Sequence, residues 1–211
     1  MTLKRYLQSR TIAVIVSGYL AGLIAYPKLP GAFLEQKPSA RILVAFTLPT
    51  TALVIYIVFR SLWKHDPVRT GNGAFEFTYH AIVLRVMMFV VALHGLVMIG
   101  LAGALNVAGF RLSAGRAVVV LLGVVLVGIG NLLPRTRPNI AVGVRTRRTL
   151  TNAQVWQRVH RAGGYAMVGL GIVIVLTGLV LRHDALGPVV GAAAIFAAMT
   201  LLLSYRRHVR A

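Results

Sequence analysis

Read for apolar and polar positions alone, the chain is six long apolar runs joined by short polar connections. The runs are Thr11–Tyr26, Ile42–Phe59, Ile82–Leu105, Ala117–Leu133, Gly164–Leu181 and Ala185–Leu203. They are continuous, whereas the strands of a membrane barrel would show segments of about ten residues with period two. Most approach the roughly 20 residues that a helix needs to cross a bilayer core. The pattern therefore predicts an all-α, polytopic membrane protein with six transmembrane helices. The first run is short and is expected to use flanking residues or a thin bilayer patch. Pro49 is expected to kink the second helix. Gly18/Gly22 and Gly187/Gly191 have the spacing that lets membrane helices approach closely.

Composition agrees. Of the 211 residues 57% are hydrophobic and only 13% charged, far below the quarter or so of a soluble domain. The mean hydropathy is +0.77. The formal net charge of +19 would suggest nucleic acid in a soluble protein. Here the positive residues sit at the ends of apolar runs, so membrane topology is the better account and no direct nucleic-acid partner is expected. With both termini in the cytoplasm, 17 of the 23 Lys and Arg residues lie inside and 6 outside, Arg85, near the start of the third run, being counted inside. The positive-inside rule then gives N-in, C-in and an inner-membrane location. The opening MTLKRYLQSR resembles the start of a signal peptide, but the run ends in Tyr26-Pro27-Lys28 without a small-residue cleavage site, and it reads as a retained first helix. There is no cysteine, hence no disulfide or thiolate site.

One connection differs from the rest. Residues 130–164 read GNLLPRTRPNIAVGVRTRRTLTNAQVWQRVHRAGG. Asn131 lies where the fourth helix leaves the membrane, and Pro134 follows as a stop signal. Asn139 and Gly143 suit tight turns. Thr151-x-x-Gln154 has the form of a capping box and predicts a short helix starting near Asn152. Trp156 and His160, four apart, share a face of it. Trp favours the headgroup layer, so this helix is expected to lie on the inner leaflet before the chain re-enters the membrane at Gly163-Gly164.

The same stretch resembles the C-terminal signature of the SdpI family of bacterial membrane proteins. The matching residues are Gly130-Asn131, Pro134, Asn139, Gly143-x-Arg145-Thr146, Thr149, Trp156, His160 and Gly163-Gly164. The resemblance divides the chain into a divergent N-terminal half (1–110) and an SdpI-like half (111–211) with its signature loop at 130–164. The N-terminal half lacks the extracellular Pro-x-x-His-like segment of many members. Arg147-Arg148 stand where the family often has Pro-Trp. The resemblance implies immunity and signalling, by protection against a secreted membrane-active peptide toxin and by holding a cytosolic repressor at the membrane. Asn131, Asn139, Arg145, Thr146, Trp156 and His160 are then the candidate residues for binding a partner or an anionic headgroup. The plainer reading of the loop's arginines is that they only hold it inside.

His94 is the candidate for an intramembrane polar site, near the middle of the third run. Ionisable groups there are costly and default to a functional hypothesis. The plainer reading is a neutral His bonded to Thr50, Thr51 or Thr177. A small transporter or lipid-handling protein with a polar cavity at His94 is the alternative to the immunity reading. The six runs contain no Asp or Glu, which argues against proton-coupled transport and against an enzyme working by acid–base chemistry. No metal and no cofactor are expected, because no Cys exists and no second His lies three or four residues from His160.

The charge split makes a direct prediction. A reporter fused after Arg210 behaves as cytoplasmic, and one inserted near Gly109 behaves as external. A cytoplasmic signal at Gly109 contradicts the six-span topology.

Overall fold

The computed structural model describes residues 3–29, 38–67, 73–101, 106–107, 110–111 and 114–180, with four helical positions beyond them at Gly191, Ile195, Ala198 and Leu202. The helices are α1 (Leu3–Ala25), α2 (Pro38–Lys64), α3 (Gly73–Leu101), α4 (Ala114–Gly130), α5 (Arg147–Thr151) and α6 (Ala153–Val180). Two single turns of 3-10 helix, Tyr26–Lys28 and Leu133–Arg135, each carry a proline at their start. A two-residue antiparallel ladder pairs Asn106 with Arg111 and Val107 with Phe110.

Five of the helices are long and apolar enough to cross a membrane. The sixth expected span, Ala185–Leu203, falls mostly outside the described residues, as does Gly187 of the second glycine pair. The five carry many large apolar side chains on their outer faces, among them Leu23, Ile24, Leu43, Ile57, Leu176 and Val180. In water such faces would drive aggregation. Against lipid tails they cost nothing, which is why so hydrophobic a chain needs only a small internal core.

Helix ends are where the apolar runs misled most. Polar first turns extend several helices beyond their apolar stretches. α3 begins at Gly73, well before Ile82, so Arg85 lies well inside the helix and not near its start. α6 begins at Ala153 and runs unbroken through Gly163-Gly164. The expected separate helix carrying Trp156 and His160 is therefore the beginning of α6. Asn152 caps it, its side-chain oxygen accepting the amides of Gln154 and Val155 at 2.9 and 3.1 Å. The capping box forms instead between Thr146 and Thr149, at the start of the five-residue α5. A short helix thus does separate α4 from α6, but it is Arg147–Thr151.

Two bodies of packing meet in the fold. α1, α2 and α3 enclose a cluster of Ile15, Ala52, Tyr56, Trp63, Phe75, Tyr79, Val83 and Met87. Within it the Trp63 and Tyr79 rings are 4.6 Å apart, and the Tyr79 hydroxyl donates to the Phe59 carbonyl at 2.7 Å. The Gly18/Gly22 pair works as its spacing suggests. A Cβ on Gly22 would come within 2.2 Å of the Ala45 carbonyl oxygen, and one on Gly18 within 3.2 Å of Val91. Pro49, inside α2, packs against the same Gly18.

The second body is α4 against α6, the most extensive helix pair in the structure. Its contacts are backbone to backbone. A Cβ on Gly123 would lie 2.7 Å from the Gly171 oxygen, and one on Gly171 2.6 Å from the Gly123 oxygen. One turn-pair further along, Gly130 and Gly164 face each other in the same reciprocal way, at 2.9 and 2.7 Å. The spacing of seven on both helices, 123 to 130 and 164 to 171, keeps the glycines on one seam of an antiparallel pair. This glycine seam was not among the spacings singled out from sequence.

Gly171→Ala places a methyl against the Gly123 carbonyl and should lower unfolding stability in detergent by roughly 1–3 kcal/mol. Gly169→Ala, which meets nothing within 4 Å, should stay within about 1 kcal/mol of the parent. Equal stability of the two variants would contradict the close seam.

Candidate functional site

Gly164 faces the last residue of α4, so the part of α6 before it projects beyond α4's end. From Ala153 that is eleven residues, about 16 Å at 1.5 Å per residue. This overhang is a post, and the chain from Asn131 to Thr146 wraps around it. Trp156, Val159 and His160 on the post are buried under the wrapped chain.

Asn139 organises the turn. It is fully buried, and both ends of its amide are used. Oδ1 accepts the amides of Ala141 and Val142 at 2.9 and 2.7 Å, the pattern of an Asx turn. Nδ2 donates to the carbonyls of Arg137 and Val142 at 2.7 and 3.1 Å. The following amide, Ile140 N–H, donates to Asp66 Oδ2 at 3.1 Å. Asp66, at the end of α2, thereby ties the loop to the N-terminal bundle, and Ala141 and Val142 pack on the aromatic cluster of that bundle.

His160 closes the other side. Its Nδ1 lies 2.8 Å from the Trp156 carbonyl, and its Nε2 lies 3.0 Å from the Val144 amide. A carbonyl can only accept and an amide N–H can only donate. The ring must therefore be neutral with its proton on Nδ1. A second proton on Nε2 would point at the Val144 N–H and break the contact. The imidazole stacks on Trp156, with centroids 3.8 Å apart and planes 15° from parallel. The Trp156 indole N–H donates to Thr136 Oγ1 at 3.2 Å. Thr136 in turn donates to the Leu133 carbonyl at 2.7 Å. Trp156 is thus a buried strut, not a headgroup-level anchor.

Gly143 is the position where glycine is required twice. Its φ of +111° is unfavourable for any residue with a Cβ. A Cβ there would also lie 2.0 Å from His160 Nε2. Beyond it, Thr149 is fully buried, accepts the Thr146 amide at 2.8 Å and donates to the Val144 carbonyl at 2.8 Å. Thr146 accepts the Thr149 amide at 3.2 Å to complete the box.

Of the candidate residues, Asn139, Thr146, Trp156 and His160 converge in one hydrogen-bonded unit and spend their polar groups inside it. Both nitrogens of His160 are committed, so in this arrangement it offers nothing to a metal. Arg145 is exposed, and one guanidinium N–H donates to the Ile140 carbonyl. Asn131 is exposed, and its backbone amide closes the last turn of α4 on Val127 at 3.0 Å. Arg135, Arg137, Arg147, Arg158 and Arg161 are exposed around the same unit. The residues that sequence reasoning missed are Asp66 and Thr136. Asp66 carried a signal, as one of only four acidic residues in the chain. Thr136 carried none beyond following a proline turn.

His94 lies apart from this unit. It is fully buried, and its ring lies against the α1 backbone at Gly18 without a well-aligned hydrogen bond at either nitrogen. The threonines expected to satisfy it are engaged elsewhere: Thr50 with the Tyr19 hydroxyl, Thr51 with the Thr47 carbonyl, and Thr177 with the Ile174 carbonyl. His94 Nε2 instead faces α1, 3.4 Å from the place a Cβ on Gly22 would take.

Residues 135–205 match the SdpI/YfhL protein family. The match takes in most of the ordered loop and all of α6, the stretch in which the resemblance was seen. No curated protein and no solved structure matches the chain.

The loop's order can be tested at one amide. Gly143→Ala should raise hydrogen exchange at Val144 by at least about tenfold, because it displaces the His160 acceptor. Asn139→Ala should cost roughly 1–3 kcal/mol for each buried polar group left unpaired. Unchanged exchange at Val144 in Gly143→Ala would contradict the geometry.

Proposed function

We propose that this membrane protein, whose residues 135–205 are an SdpI/YfhL segment, acts in immunity and signalling at a bacterial inner membrane. It protects against a membrane-active peptide, holds a cytosolic regulator at the membrane, or does both. The termini and the 130–164 loop face the cytoplasm in this reading. The work is binding, not catalysis.

The observation that carries the reading is how the loop divides its residues. Polar side chains that could have bound a ligand are consumed in fixing the backbone. The arginines are left outside on a surface that does not need to order itself on binding. A topological tether needs positive charge and flexibility, and has no use for a buried Asn with four hydrogen bonds. A pre-ordered array of guanidinium groups suits an acidic protein segment or anionic headgroups, because ordering costs are met before the partner arrives. Arg145 belongs to that array, held by the Ile140 carbonyl with donors to spare.

The alternative, a small transporter or lipid-handling protein working at His94, draws on one observation: a fully buried imidazole without a well-aligned hydrogen bond. The same experiment separates the two, since a function at His94 would be indifferent to Arg145.

Arg145→Lys keeps the charge and loses the planar fork that grips carboxylate or phosphate with two parallel bonds. It should lower survival against a membrane-active peptide, or membrane recruitment of the regulator, by about tenfold at normal abundance. Arg147→Lys, at a position that departs from the family pattern, should behave as the parent. If both variants behave as the parent, the loop is a tether.

A further inference from the structure

The strongest unused feature is Arg85. It lies inside α3, partly buried, facing α4 where Gly128 leaves room for it. A Cβ on Gly128 would come 3.2 Å from Arg85 Cδ and 3.3 Å from Nε. A Cβ there would press on the side chain and require it to shift by a few tenths of an ångström. The guanidinium has five N–H donors. One of them donates to the Ala81 carbonyl at 3.0 Å, and among the described residues no carboxylate pairs with the group.

That bond also fixes a direction. Ala81 is one turn nearer the start of α3, so the guanidinium reaches back toward the end of the bundle that carries the loop. Ala81 and Ile82 pack against Leu132, just past the end of α4. Arg85 therefore presents its charge about one turn below the surface on which the loop rests. Arginines near the ends of membrane helices reach their charge toward the headgroups in this way.

Running away from Arg85 toward the middle of the membrane is an open groove of about 390 Å³ between α3 and α4. Its walls are Met88, Phe89, Ala92, Leu121, Val124 and Val125, all apolar. A groove with one cation at its surface end and hydrocarbon along the rest is complementary to one molecule class. We infer that a phospholipid with a net negative headgroup occupies it, its phosphate on Arg85 and one acyl chain along Ala92, Leu121 and Val125. The charge supports an anionic over a zwitterionic headgroup. The exposed Arg135 and Arg137 follow α4 at the same end, and a choline or ethanolamine cation would be repelled there. This lipid site is separate from the loop surface, so its failure leaves the role of Arg145 untouched, and the reverse holds too.

The test is native mass spectrometry of the full chain in detergent, with phosphatidylglycerol or phosphatidylcholine of the same acyl chains added. The parent protein should retain one phosphatidylglycerol about fivefold more strongly than phosphatidylcholine. Arg85→Gln should bring phosphatidylglycerol down to the phosphatidylcholine level. Arg85→Lys should keep part of the preference, which separates loss of charge from loss of fold. Ala92→Phe, which fills the groove with Arg85 intact, should lower retention of both lipids. Equal retention of the two lipids by the parent, or undiminished phosphatidylglycerol binding in a folded Arg85→Gln protein, would overturn the assignment.

Discussion

The contact on which the rest depends is glycine backbone against glycine backbone, between α4 and α6. Lipid tails are as apolar as leucine, so no hydrophobic gain pulls these helices together. What remains is close packing, and Gly123–Gly171 and Gly130–Gly164 provide it at four mutual approaches under 3 Å to an added Cβ. The seam also sets the register. It stops at Gly130, the end of α4, while α6 continues about 16 Å further. That unmatched length is apolar on one face, with Trp156 and Val159, and must be covered. The chain between the helices covers it.

Covering the post with backbone creates a polar problem, because buried N–H and C=O groups must all find partners. The loop solves it with side chains, not with regular structure. Asn139 takes four bonds, Asp66 one, and Thr136, Thr149 and His160 the others. The solution is tightly constrained at one point. Gly143 and Val144 pass so close to His160 that the ring must lack a proton on Nε2 and the chain must lack a Cβ at 143. The arginines that make the surface basic take little part in this framework. Structure and charge are thus carried by different residues in one loop, which lets the charged ones present a partner with a fixed array.

How much of this could be read beforehand follows from the range of each signal. Apolar runs showed the helices, because crossing a bilayer needs a long unbroken stretch. They hid the ends: the first turns of α6 are polar, and those of α3 mix polar residues with aromatics, so neither continues an unbroken apolar run. That is why Trp156 and His160 looked like a separate surface helix. Short-range spacings fared better, although the capping box expected at Thr151-x-x-Gln154 forms at Thr146 and Thr149 instead. Gly143, Asn139 and the pairing of Trp156 with His160 all found the places their chemistry suggested. What stayed hidden depends on residues far apart in the chain. Asp66 meets Ile140 across 74 positions. The glycine seam needs the pairing of α4 with α6 to be known. His94 had plausible threonine partners nearby in hydropathy terms, and the packing turned each of them elsewhere.

The central claim is that His160 is a structural acceptor holding a pre-ordered loop. Nitrogen-15 NMR of histidine-labelled protein in bilayers at neutral pH tests it directly, with His160→Gln identifying the resonance. The account predicts a neutral ring protonated on Nδ1, with Nε2 shifted as an acceptor of the Val144 amide. A proton on Nε2, in either the other neutral tautomer or the charged imidazolium, would contradict it.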